Sequence, residues 1–164
     1  MTKLLLSLHV LAAILAIGPI AVAASMFPRF VRVPASVGAA PGAPEASDAS
    51  GGAGRGGAVL LHRICRAYTV VGVTVPVFGI ATGAQLGVLT DAWLIASLIL
   101  TTVAAVLLAG VILPAQERLL ESASRPEGAA RAARRLAMLT GIFNLLWAVV
   151  VVLMIVRPGS TTSA

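Results

Sequence analysis

Charge is scarce in this sequence of 164 residues, because Asp, Glu, Lys and Arg make up only 11% of it. Soluble proteins carry about 25% of these residues. Aromatic residues are also few, at 4%, whereas apolar residues reach 59% and the mean hydropathy is +1.00. So little charge cannot cover a surface that faces water. The composition therefore excludes a disordered chain and a nucleic-acid-binding protein, and it predicts a protein whose main partner is the lipid bilayer.

Cysteine is nearly absent, since Cys65 is the single one, and no disulfide can form within the chain. Arg63 and Arg66 flank it closely and would favour the thiolate, which is the reactive form of the side chain. The alternative is a small apolar residue at the start of a helix. We favour this second interpretation.

Four apolar runs contain no charged residue and are long enough to cross a bilayer. A helix needs about 20 residues to cross ~30 Å of hydrocarbon. The second and third runs are separated only by Asp91, which predicts a tight helical hairpin with Asp91 as the N-cap of the third span. We predict an all-α fold, a four-helix transmembrane bundle that forms one integral membrane domain over residues 1–164. Its spans are about 4–27, 67–90, 92–113 and 136–156.

Positive charge is distributed unequally between the two sides of these spans. Ten arginines lie in or beside the first and third connections, while Lys3 and Arg157 flank the other ends. Because Lys and Arg favour the cytoplasmic side, we predict a multi-pass protein of the bacterial inner (plasma) membrane, N-out and C-out. Residues 1–25 also resemble a cleavable signal peptide. Cleavage would leave three spans and place both arginine-rich connections outside, which the charge distribution opposes.

The first and third connections differ in composition. Residues 34–58 are rich in Ala, Gly, Ser and Pro, with too little apolar surface to offset their ordering entropy, which predicts a flexible, disordered cytoplasmic loop. Residues 116–135 contain good helix formers and alternating charges. Two interpretations of them stay open. One is a helix on the membrane surface, with Leu119 and Leu120 in lipid and the arginines at anionic headgroups; the other is a solvated continuation of spans three and four.

Titratable side chains are nearly absent from the apolar runs, where His9 and, near the start of the second run, Tyr68 are the exceptions. The lack of a carboxylate disfavours a proton-coupled transporter. His9 lies at a depth similar to Gln85, Ser97 and Met154. Imidazole and thioether both ligate haem and copper, so His9 and Met154 are candidate cofactor-binding residues. The alternatives are a neutral His9 hydrogen-bonded to Gln85 or Ser97, and a His9 that extends outward to the membrane surface. The other histidine, His62, is expected at the cytoplasmic end, in contact with lipid headgroups.

Small residues recur along the second span, with Gly79, Gly83 and Gly87 spaced four positions apart. This spacing predicts a groove on one face of the helix. It lets another helix approach closely, within the chain, in a second copy or in a membrane partner. Pro76 in the same span and Pro19 in the first each remove a backbone hydrogen bond, which predicts a kink in both helices.

Three short motifs resemble a family of small uncharacterised bacterial four-helix membrane proteins: 8–18 with 27–29 around His9, 91–94, and 154–159. That family is distantly similar to copper-resistance D-type proteins and to HemJ-type protoporphyrinogen oxidases. The latter resemblance implies a haem ligand at His9 and a matching basic residue at Arg157. HemJ-type proteins also use a lysine and a histidine in the helix after Trp93, which here contains neither. Only His9 is therefore carried over as a candidate ligand.

These observations favour a structural or accessory membrane bundle that packs through small residues, with no enzymatic activity and no bound cofactor. The alternative is a membrane protein that binds haem b or copper with His9 as ligand. A small permease is less favoured, because the spans contain no charged residue that could line a pathway.

Overall fold

The computed structural model describes residues 2–31, 46–121 and 128–159. Within these ranges the chain is helical apart from short turns, which confirms the all-α prediction. A π-helical turn, Leu108–Ile112, joins the fourth helix directly to the fifth. The helices are α1 (Thr2–Val31), α2 (Ala46–Gly72), α3 (Thr74–Leu86), α4 (Ala92–Leu107), α5 (Leu113–Glu121) and α6 (Ala129–Val156).

Four stretches in the described ranges are long and apolar enough to cross a membrane, as predicted. The second combines α2 with α3, and the third combines α4, the π turn and α5. All four are longer than the predicted runs. The third and fourth extend through Ala, Leu, Glu and Arg residues, which also form helix well. The spans are Lys3–Phe30, Gly54–Leu86, Ala92–Glu121 and Ala129–Val156.

Most apolar side chains of the spans point away from the rest of the chain. In the most apolar window of each span, only 11% to 28% of the residues are buried inside the structure. On α4, for example, Ile99 and Val106 expose 59% and 63% of their surface. Such a surface is unfavourable in water and suited to lipid. The chain therefore has the character of a multi-pass membrane protein.

Neighbouring spans are antiparallel. Span one packs along span two, with Phe30 beside Gly57 at one end and His9 beside Gly79 at the other. Span one also contacts span four, and span four contacts span three. We call the end that holds His9 the terminal end, because α1 begins and α6 ends there. The end that holds Phe30 is called the arginine-rich end.

The main cluster of buried apolar side chains lies in the half of the bundle nearer the arginine-rich end. Phe143 in this core meets Trp147 edge to face, with the ring centroids 6.3 Å apart. Lipid tails are as apolar as these side chains, so close packing rather than removal of water holds the helices together. The core residues are Ile20, Phe27, Ala58, Ala104, Leu108, Ile112, Leu119, Leu136 and Phe143.

The flexible loop that was predicted for residues 34–58 is replaced by helix over its part from residue 46 to residue 58. Helix α2 begins at Ala46, and Ala58 is only 1% exposed in the core. Gly57 allows this approach, because a Cβ atom there would lie 2.6 Å from the ring of Phe30. Small residues that looked like a linker therefore permit close helix contact. Residues 34–45 of the predicted loop lie outside the described residues.

Proline affects the spans differently. The second span is interrupted at Val73, between α2 and α3, as predicted from Pro76. Pro76 has no N–H to donate to the carbonyl four residues earlier, and its ring crowds that carbonyl. By contrast, α1 continues as helix through Pro19. In the third span the π turn ends immediately before α5, whose second residue is Pro114, and a wider turn accommodates a proline ring.

The third connection begins as a direct continuation of span three, which is one of the two predicted interpretations. Helix α5 extends to Glu121, and Leu119 is 3% exposed in the core rather than immersed in the membrane surface. The reason is that α5 turns one face toward α2 and α6. Residues 122–127, in the middle of this connection, lie outside the described residues.

Candidate functional site

His9 on α1 is half-buried against the second span. Its Nδ1 lies 2.9 Å from the backbone carbonyl oxygen of Val75. A carbonyl oxygen only accepts, so Nδ1 carries a proton and donates; in a neutral imidazole with this tautomer the lone pair lies on Nε2. The sequence predicted Gln85 or Ser97 as the hydrogen-bond partner of His9. In the structure the partner is instead a backbone carbonyl of span two, that of Val75.

Gly79 makes room for this imidazole. A Cβ atom on Gly79 would lie 2.9 Å from His9 Cε1 and 3.2 Å from its Nδ1. No real side chain tolerates the shorter of these distances without movement of the ring. The glycine and the histidine therefore form a matched pair that sets how closely span one approaches span two.

The other two glycines of the predicted groove behave differently from Gly79. A Cβ atom on Gly83 would lie 2.8 Å from Leu94 and 3.2 Å from Leu89, so Gly83 faces the start of span three. Gly87 departs from the prediction. It ends α3 in the left-handed region, with φ 70°, and nothing lies within 4 Å of its Cβ position. Such a C-cap favours glycine. The regular spacing therefore did not reveal that Gly79 and Gly83 lie in close contacts whereas Gly87 ends the helix.

The other residues that were predicted to lie at the depth of His9 make no contact with it in the hydrogen bonds of the described residues. The Ser97 hydroxyl is fully buried and donates to the Trp93 carbonyl oxygen at 2.8 Å. Gln85 is exposed. Met154 is partly buried, and its carbonyl oxygen accepts from Arg157 Nε at 3.3 Å. Among the described residues, no three His, Cys, Asp or Glu side chains are grouped so that they could hold a metal ion.

A cluster of polar contacts among Asp91, Trp93 and Arg157 joins spans three and four at the terminal end. Trp93 Nε1 donates to Asp91 Oδ2 at 3.0 Å, and the Arg157 guanidinium lies 5.5 Å from the centroid of the Trp93 ring. Asp91 stands at the predicted N-cap position of α4, but its carboxylate binds the indole rather than a backbone N–H. Two of the three resemblance motifs therefore meet in space. The cation–π contact contributes about 0.5–1 kcal/mol where it is exposed.

A second polar cluster was missed by the sequence and lies between α2 and α5. The sequence predicted that His62 contacts lipid headgroups, but the structure buries this side chain and leaves only 8% of it exposed. Its Nδ1 donates to Gln116 Oε1 at 3.0 Å, and its Nε2 lies 3.5 Å from a carboxylate oxygen of Glu117. Gln116 Nε2 also donates to Cys65 Sγ at 3.8 Å. Cys65 is fully buried, which agrees with the structural rather than the reactive interpretation of this thiol.

Spans one and four share a third polar contact, in which Asn144 Nδ2 donates to Ser25 Oγ at 3.2 Å. The polar contacts of the described residues thus join spans one to two, one to four, two to three and three to four. Comparison with protein-family models, with curated proteins and with solved structures finds no match. The resemblance to copper-resistance D-type and HemJ-type proteins stays an expectation.

Proposed function

We propose that this chain is a structural or accessory protein of the bacterial inner membrane, without enzymatic activity. The observation that carries this proposal is that polar side chains of the described residues join neighbouring spans, and the side chains of both histidines are among them. His9 donates to Val75, and His62 donates to Gln116. These are the residues on which haem, metal or proton-transfer chemistry would depend.

Polar side chains in a bilayer have a structural use that fits this proposal. A hydrogen bond between membrane helices contributes about 0.6–2 kcal/mol. The pairs His9 with Val75 and Asn144 with Ser25 each connect two spans. Such contacts fix how the helices cross, which is what a scaffold or an accessory subunit requires.

The orientation in this proposal is N-out and C-out, with the arginine-rich end in the cytoplasm. It is supported by the ten arginines of the first and third connections. A second copy or a membrane partner would contact span two on a different face from the one predicted. Gly79 and Gly83 are already covered within the chain, whereas Val73 and Val77 are exposed.

A second candidate function is the binding of haem b or copper at His9. One observation favours it: a ligating histidine usually donates its other ring N–H to an oxygen acceptor, as His9 Nδ1 does to Val75. When bound, either group would supply one-electron redox chemistry. The contacts of Met154 do not join it to His9, so within the described residues the candidate donor is the His9 imidazole.

Absorbance and metal content of gently solubilised protein distinguish the two candidates. The structural role predicts a colourless, metal-free protein whose thermal unfolding is unchanged by a chelator. A Soret band or bound copper that disappears in His9→Ala but persists in His62→Ala would contradict it and support the second candidate. His62→Ala is the matched control, because it also removes a hydrogen-bonded imidazole.

A further inference from the structure

A cleft of about 270 Å³ opens between spans three and four toward the arginine-rich end. Its lining is mostly apolar. Its two charged lining residues are Arg118 of α5 and Arg135 of α6, and both are exposed. The apolar part of the wall includes Gly110, Val111, Pro114, Leu136 and Leu139.

One wall of this cleft is an irregular stretch of span three. The π turn and Pro114 adjoin there, and a π turn is a local widening that often marks a functional position in a helix. Gly110 lies within the π turn, and nothing is found within 4 Å of its Cβ position. A larger residue at this position would occupy the cleft rather than clash with a neighbour.

The combination of an apolar wall and two guanidinium groups suits an amphiphile with an anionic head. Arginine binds phosphate oxygens through paired charged hydrogen bonds. Basic pockets between membrane helices are typical sites for anionic lipid headgroups. The volume lies below the ~300 Å³ at which small-molecule sites begin, so it fits part of one acyl chain better than a whole soluble ligand.

We propose that this cleft binds one anionic phospholipid, with an acyl chain against Gly110 and Leu139 and the phosphate at Arg118 and Arg135. The site needs the four-span fold but neither the accessory role nor the N-out orientation, so it can fail independently of both. In the proposed orientation the lipid belongs to the cytoplasmic leaflet.

Native mass spectrometry of the full chain in detergent tests this site, with phosphatidylglycerol as the probe and phosphatidylcholine as the zwitterionic comparison. The wild type should retain one phosphatidylglycerol per protomer and little phosphatidylcholine. The attraction between one arginine near the membrane surface and an anionic headgroup strengthens lipid binding about fivefold. We therefore expect Arg118→Gln/Arg135→Gln to bind about 25-fold more weakly.

Two further variants separate a defined site from general attraction by positive charge. Arg131→Gln/Arg134→Gln removes the same charge from the same end of α6 but outside the cleft, and it should keep most of its binding. Gly110→Leu leaves every charge in place and fills the apolar wall, and it should lose the bound lipid. Far-UV circular dichroism checks that each variant is folded.

Four outcomes would overturn the proposal. They are equal retention of the two lipids, equal weakening of the two double variants, binding by Gly110→Leu as tight as in the wild type, and displacement of phosphatidylglycerol by inorganic phosphate. The last would indicate a site for free phosphate. Gly110→Leu keeps the proposal testable if the loss of Arg118 impairs folding.

Discussion

Replacing Gly79 with Ala should destabilise the bundle, although alanine is normally the better residue in a helix. The added Cβ would lie 2.9 Å from His9 Cε1 and 3.2 Å from the Nδ1 that binds Val75. The imidazole must therefore move and lengthen its hydrogen bond, or the two spans must separate.

The size of this effect follows from two opposed contributions. Overpacking a close contact destabilises by about 1–3 kcal/mol. Removing the backbone freedom of a mid-helix glycine stabilises by roughly 0.5–1 kcal/mol. We expect a net loss of about 1–2 kcal/mol for Gly79→Ala. In a His9→Ala background the clash is absent, and the same substitution should stabilise by roughly 0.5–1 kcal/mol.

The assay is an SDS titration in mixed detergent micelles, followed by tryptophan fluorescence, on the wild type, both single variants and the double variant. The cycle should give a coupling energy of about 2 kcal/mol between the two positions. Gly141→Ala is the control, because Gly141 is helical with nothing within 4 Å of its Cβ position. The same destabilisation by Gly79→Ala in both backgrounds would refute the matched pair.

Three further predictions concern the remaining contacts. Gln116→Leu removes the hydrogen-bond partner of the buried His62 and should lower the free energy of unfolding by about 1–3 kcal/mol, and an unchanged SDS midpoint would contradict this. Cys65 should resist maleimide in native micelles and react fully in SDS, because it is 0% exposed; rapid native labelling would show that the α2–α5 contact opens. Gly87→Ala should lower the free energy of unfolding by about 1–2 kcal/mol, because φ at this position is 70°. Gly141→Ala should not, and equal unfolding free energies of the two variants would contradict the need for glycine at this C-cap.

The four spans could be predicted because their signal is local. A run of apolar residues long enough to cross a bilayer is visible without knowledge of its neighbours. The helical start of α2 could not be predicted in this way. Residues 46–58 carry no apolar stripe in the sequence, and the contacts that hold the helix at Gly54, Gly57 and Ala58 come from Phe27 and Phe30 of another span.

The candidate site depends on contacts between residues far apart in the chain. His62 and Gln116 are 54 positions apart, and His9 and Val75 are 66 apart. The sequence identified His9 as unusual but could not select its partner among many residues at similar depth. Gly79 and Gly87 look alike in sequence and differ in backbone conformation, which spacing does not encode.

Labelling of spheroplasts tests most directly the proposal that the chain crosses the membrane with its arginine-rich end in the cytoplasm. In a Cys65→Ala background, Arg55→Cys reports on the arginine-rich end, and Thr90→Cys reports on the exposed turn between spans two and three. A membrane-impermeant maleimide should label Thr90→Cys in intact spheroplasts and Arg55→Cys only after permeabilisation. Labelling of Arg55→Cys in intact spheroplasts would contradict the account.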